Sequence, residues 1–306
     1  MYISPSSRLE YLADHLSQDI DSFSISVQNS TIMAAPPPAI ALPADIKHYS
    51  LALETKPGAS IRYTLAQGKK PADSLLVVFL NGLVADKSSW LPTMAGIIRA
   101  DPDFPTMVAY DRYGQGLTED RDPQDRGREE GYGHDVRDAA VDLHQLIGQV
   151  CKDHALSKDS MPRLVLVANS IGCAVARLFA QEHPEKVTGI ILLDSVMANS
   201  KFDFWPDPDA KGFDANQLPD DVSVEILREQ RAKLKAIFSP ATKNREGLDR
   251  RNLASLLPHS DKPSLVSPHN RGPFITVVGH DFETFAQESL RVSQVVAERE
   301  RRLSRC

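Results

Sequence analysis

One stretch of the chain, Arg163 to Ser195 (RLVLVANSIGCAVARLFAQEHPEKVTGIILLDS), constrains the fold more than any other. Leu164 to Ala168 is an unbroken apolar run, short enough for a strand and apolar enough to be covered on both faces. A helical pattern, Ile171 to Glu182, begins with almost no loop between. Its first small residues, Gly172, Cys173 and Ala174, let it pack tightly against the strand it follows. Gly189 to Leu193 is a second buried strand. Strand, helix and strand at this spacing form a right-handed crossover of a parallel sheet. Ser170 falls in the sharp bend between strand and helix, with its oxygen exposed and the positive end of the helix beneath it.

The rest of the chain extends this pattern. His48 to Glu54 and Ser60 to Ala66 alternate in character and read as a hairpin pair about the turn Pro57-Gly58. Leu75 to Leu80 is another strand of the doubly covered kind, as are Met107 to Tyr110 and Phe274 to Val278. Val136 to Val150 carries a helical stripe of Val136, Ala140, Leu143, Ile147 and Val150. The expected class is α/β: a mainly parallel central sheet with helices on both faces. Residues 1–46, with their proline run, read as a flexible arm, and Met33 is an alternative start. Residues 47–194 and 272–306 read as the core. The stretch 195–271 reads as a helical lid inserted after a strand, with an amphipathic helix over Val222 to Phe238 and a further helix near Glu246 to Leu257.

Composition narrows the function. The chain has 306 residues and a net charge of −6, with its Lys and Arg scattered among acids. A nucleic-acid partner would require a basic face, so none is expected. Three cysteines (Cys151, Cys173, Cys306) have no metal-ligand spacing, and neither a metal nor a cofactor is expected. The N-terminus lacks the form of a secretory signal and no window is long and apolar enough to span a membrane, which points to the cytoplasm. The terminal Ser304-Arg305-Cys306 resembles a peroxisomal address only loosely, as the alternative. The oligomeric state is left open.

The elbow Ala168-Asn169-Ser170-Ile171-Gly172 resembles the Gly-x-Ser-x-Gly nucleophile elbow of the α/β-hydrolase superfamily, in its serine esterase and lipase-like, fungal-type branch. Ala168 stands where that pattern has its first glycine. Asn81-Gly82 follows the strand LLVVFL where the family usually has His-Gly. Asp111-Arg112-Tyr113-Gly114-Gln115-Gly116 resembles the family's next conserved loop, which is scaffold. Gly133-His134-Asp135 precedes a helix as in the family, and His134 reads as a helix-entry residue. The resemblance implies Ser170 as nucleophile and the backbone N–H groups of Ile171 and Leu83 as oxyanion donors. It also implies a small, largely apolar substrate held by Asn81, Phe202, Phe204 and Trp205. A serine at the elbow sets the chain apart from the aspartate-nucleophile branches, the epoxide hydrolases and haloalkane dehalogenases.

A serine needs a base, and the base an acid to orient it. Asp194, at the end of the strand GIILLD, is the preferred acid, with Asp281 and Glu283 as alternatives. The histidines after Ser170 are His183, His259, His269 and His280. His183 resembles a structural junction, while His259 and His269 lie in polar loops. His280 stands in two readings. It is the base if Phe274 to Val278 is the final strand. If that strand is the seventh, the usual histidine lies beyond the sequence and Ser170 lacks a base. The expected activity is therefore cleavage of an ester, thioester or related acyl bond through an acyl-enzyme. The alternative is a catalytically impaired or truncated protein of the same fold that serves as a binding module.

Overall fold

The computed structural model describes residues 43–69, 75–83, 85–156, 161–195, 206–218, 222–259, 261–266, 272–279 and 281. They fall into two compact units. The larger holds the described residues from 43 to 195 and from 243 to 279, and the smaller holds 206–218, 222–242 and 281. The stretch 195–271 thus divides between them.

The larger unit is built on a seven-stranded sheet of β1 (Ile46–Ala52), β2 (Ser60–Ala66), β3 (Leu76–Leu80), β4 (Thr106–Tyr110), β5 (Leu164–Asn169), β6 (Val187–Leu193) and β7 (Phe274–Val278). Their order is β1-β2-β4-β3-β5-β6-β7. β1 pairs antiparallel with β2 and β2 with β4, while the five strands from β4 to β7 run parallel. The hairpin and the parallel strands are those read from the apolar pattern, with ends moved by one or two residues.

The period-two geometry of a strand sends alternate side chains to opposite faces. Leu76, Val78 and Leu80 of β3 join one apolar cluster, Val77 and Phe79 the other. The first face is covered by helices α2 (Val136–Asp153) and α3 (Gly172–Glu182), through Leu143, Leu146, Ile147, Val175 and Phe179. The second face carries α1 (Leu91–Ala100) with Trp90, Met94 and Ala95. Helices therefore lie on both faces, as expected. α2 starts where a capping box allows it: Asp135 accepts from the Asp138 N–H, and the Asp138 side chain accepts from that of Asp135.

Three expectations are corrected. β7 is not doubly covered: among the described residues it pairs with β6 alone, and all five of its residues are exposed. The helix expected near Glu246 to Leu257 shrinks to α5 (Leu253–Leu256). Residues 243–250 instead form a loop that turns at Arg245-Glu246, where the Gly247 N–H donates to Asn244 O, and Gly247 takes a left-handed φ of 80°. In the smaller unit the amphipathic helix α4 (Val224–Phe238) begins two residues late, after Ser223, whose side chain accepts from the Ile226 N–H. Among the described residues no helix is long and apolar enough to cross a membrane.

Candidate active site

The order of β4, β3 and β5 fixes where chemistry can occur. Chain progression reverses direction on either side of β3, and a parallel sheet of this kind opens a crevice at the carboxyl ends of its strands at that point. The residues that leave those ends are Asn81 from β3, Asp111 from β4, Ser170 from β5 and Asp194 from β6. Register brings them level. Leu80 faces Ala168, and Asn169 faces Leu193, which itself faces Val278.

Ser170 has φ 51°, in the left-handed region that an L-residue other than Gly, Asn or Asp rarely enters. Two hydrogen bonds hold it there. Its N–H donates to Leu193 O at 3.1 Å, and its carbonyl accepts from the Cys173 N–H at 3.0 Å as the first turn of α3 forms. Gly172 is required where α3 crosses the end of β3, since a Cβ there would lie 2.7 Å from Asn81 O and 2.8 Å from Leu80 O. Gly82 is equally close to the elbow, a Cβ on it falling 3.3 Å from Ser170 Cβ. The Ser170 side chain is half-buried, and its hydroxyl has no hydrogen-bond partner among the described residues.

The two backbone N–H groups expected as donors belong to Ile171, next to Ser170 in the chain, and to Leu83, next to Gly82. Ile171 and Leu83 make no hydrogen bond through their N–H groups among the described residues, although Ile171 is buried. The peptide that carries the Leu83 N–H is held from behind. Gly82 O accepts from Arg112 Nη2 at 2.9 Å and from Gln115 Nε2 at 2.7 Å, and Asn81 O accepts from Arg112 Nη1 at 2.9 Å. In a planar trans peptide the N–H points opposite to the carbonyl. The anchoring therefore leaves the Leu83 N–H facing away from Arg112. Arg112 is 4% exposed, and its Nε and Nη2 clasp the Glu246 carboxylate at 2.8 and 3.0 Å. Burial alone would lower the guanidinium pKa, but the Glu246 charge and hydrogen bonds raise it.

Asn81 was expected to face substrate. Its side chain is instead turned inward: Nδ2 donates to Tyr110 O at 2.8 Å, Oδ1 accepts from Trp90 Nε1 at 2.7 Å, and the residue is 1% exposed. Asp194 is exposed at the end of β6 with φ 48°, and its N–H donates to Val278 O at 2.8 Å. His280, Phe202, Phe204, Trp205 and Glu283 lie outside the described residues. His183 ends α3, a helix of 11 residues or roughly 16 Å from the elbow, and stacks on His144 at 4.2 Å. That distance removes it as a partner of Ser170.

Ligand atoms of Asp122, Asp125 and His134 lie within 4.8 Å of one another, the spacing a metal ion needs. The acids already have partners within the protein, Lys56 Nζ at 2.6 Å from Asp122 and His134 Nδ1 at 3.1 Å from Asp125, so the cluster is a hydrogen-bonded network around the buried Lys56 ion pair. Cys151 and Cys173 are buried free thiols, pushed by burial up to about 11 and about 12, which leaves them protonated and inert. Cys306 lies outside the described residues.

Arg112 was read only as scaffold and Glu246 only as part of a helix, so the anchoring of the Gly82 peptide was missed. The one signal available was an arginine inside a glycine-rich loop. Its partner lies 134 positions away, with no local mark.

The profile of the alpha/beta hydrolase family matches residues 77–299. No curated protein sequence matches the chain. Among solved structures, an epoxide hydrolase from Vigna radiata is 21% identical with a TM-score of 0.36, over 49% of this chain and 38% of that one. Epoxide hydrolase A from Mycobacterium thermoresistibile is 17% identical with a TM-score of 0.37, over 49% and 39%. An alpha/beta hydrolase from Penicillium sp. sh18 is 15% identical with a TM-score of 0.37, over 50% and 46%. The chain thus spans less than half the length of each of these.

Proposed function

The chain belongs to the alpha/beta hydrolase family, and on that premise we propose that it is a serine hydrolase that cleaves an ester, thioester or related acyl bond of a small, largely apolar metabolite. The observation that carries the proposal is the left-handed Ser170 at the end of β5, with φ 51°; the N–H groups of Ile171 and Leu83, which have no acceptor among the described residues, support it. In the proposed reaction Ser170 Oγ attacks the carbonyl carbon while its proton passes to a base. The carbonyl oxygen becomes an oxyanion and takes the N–H groups of Ile171 and Leu83 as donors. Collapse breaks the bond to the leaving alkoxide or thiolate, which receives the proton, and water then releases the acid from the acyl-serine by the same route. We assign the base to His280 and its orienting acid to Asp194, and the cover of an apolar pocket to 195–271 with Phe202, Phe204 and Trp205. Asp194 lies one residue after Leu193, whose carbonyl binds the Ser170 N–H, which keeps the two side chains on adjacent strand ends.

The test is labelling with a fluorophosphonate probe, with Ser170→Ala as control, alongside hydrolysis of short p-nitrophenyl esters. Modification at Ser170 together with ester turnover lost in the variant is the expected result. A folded wild-type protein that leaves Ser170 unmodified overturns the proposal. A second reading is a binding module of the same fold without turnover. It predicts ligand-induced stabilisation with no ester hydrolysis.

A further inference from the structure

We infer that Glu246 is a positioning residue for the oxyanion donor at Leu83, acting through Arg112; the catalytic part of this inference rests on the function proposed above. Nothing in the sequence singles out Glu246 as a site residue, and it lies four positions beyond Thr242, where the chain leaves the smaller unit for the larger.

The structure builds a seat for it. Glu246 is 2% exposed, and the segment around it is laid into neighbouring loops at positions where any side chain would obstruct. A Cβ on Gly114, whose φ is 72°, would stand 3.0 Å from Glu246 Cα, and one on Gly131 would stand 2.9 Å from Lys243 Cγ. The Gly133 N–H donates to Gly247 O at 2.7 Å and the Asp249 N–H to His134 O at 2.8 Å, with Asp135 and Asp249 forming a bridge. The segment is thus fixed by its backbone, and one carboxylate projects from it into the interior.

That carboxylate meets Arg112 in the forked, two-bond geometry that fixes a guanidinium plane most firmly. The other face of the fork grips two successive carbonyl oxygens, Asn81 O and Gly82 O. A guanidinium has donors to spare but one orientation, so fixing it by Glu246 fixes the Gly82–Leu83 peptide plane. The plane decides where the Leu83 N–H stands, and oxyanion stabilisation falls steeply when a donor is displaced. Glu246 touches neither substrate nor Ser170. It acts at two removes, which makes it a positioning residue and not a catalytic one.

The test compares wild type with Glu246→Gln and Glu246→Asp. Gln keeps the shape and one acceptor but loses the charge and half of the fork; Asp keeps the charge on a shorter arm. The first readout needs no turnover: the backbone amide resonance of Leu83 in a 15N-labelled protein and its hydrogen exchange. Both variants are expected to shift that resonance and speed its exchange at least threefold, while Val150 and Leu178, in the distant helix core, keep wild-type values. The second readout is ester hydrolysis, where Gln is expected to lower kcat about tenfold with KM within twofold, and affinity for a boronic acid that mimics the oxyanion is expected to fall in parallel. An unmoved Leu83 amide in the folded Gln variant overturns the inference whether or not the protein is a hydrolase. A moved amide in a protein that lacks ester turnover supports the positioning and sinks the proposed function instead. Equal loss through KM and kcat, with Val150 and Leu178 also destabilised, marks a merely structural role and overturns it.

Discussion

Replacing Ser170 by glycine should make the protein more stable than replacing it by alanine. The backbone at 170 sits at φ 51°, held by the Leu193 carbonyl on one side and the first turn of α3 on the other. An L-residue pays about 1–2 kcal/mol to adopt such a left-handed conformation, because Cβ crowds the carbonyl that follows. Glycine escapes that strain but gives the unfolded chain more freedom, which costs it about 0.5–1 kcal/mol. The net expectation is a gain of about 0.5–1 kcal/mol for Ser170→Gly over Ser170→Ala. Alanine itself should match wild type within about 0.5 kcal/mol, since the hydroxyl forms no hydrogen bond among the described residues. Chemical denaturation at neutral pH, followed by circular dichroism and fitted with a common slope, resolves differences of this size. The comparison is independent of activity and bears only on backbone geometry. A glycine variant no more stable than the alanine one would refute the strained elbow on which the nucleophile assignment stands.

Two further predictions concern buried charge. Lys56→Ala should destabilise the fold by about 3–5 kcal/mol in the same denaturation assay. It removes the ammonium that lies 2.6 Å from Asp122 and 2.7 Å from Asp142 and leaves two buried carboxylates without their counter-ion; a loss under about 1 kcal/mol would contradict this. The histidines should bend stability against pH in opposite directions. Burial, reinforced by the neighbouring His183 ring, lowers the pKa of His144, so its contribution is complete above the ordinary value near 6.5 and is lost as pH falls through the folded one. Burial would lower His134 as well, but the Asp125 hydrogen bond and charge, with Glu246 and Asp122, raise it. Its contribution is complete below the ordinary value and is lost as pH rises through the folded one. Stability differences between wild type and the His144→Asn and His134→Asn variants, measured from pH 5 to 8, should therefore narrow at opposite ends of that range; narrowing at the same end would refute the assignment.

What the sequence determined by itself was the local frame of this protein. The hairpin, the parallel strands, α2, α3 and the bend at Ser170 were legible because each follows from apolar period, helix capping and small residues within a dozen positions. The family resemblance rested on the same local marks, and the match over residues 77–299 agrees with it. The exposure of β7 was hidden, since an apolar run records what a strand prefers and not which neighbours reach it. Tertiary structure alone decided which strand ends stand level, through registers such as Leu80 against Ala168. It also took Lys56 from a turn that reads as surface and buried it between two distant acids, Asp122 in a loop and Asp142 on α2. Glu246 was set beneath Arg112 across 134 residues in the same way. Such pairings join residues whose separation no period or motif encodes. They become favourable only once the sheet has excluded water, and a charge left alone in that interior costs more than its partner's ordering.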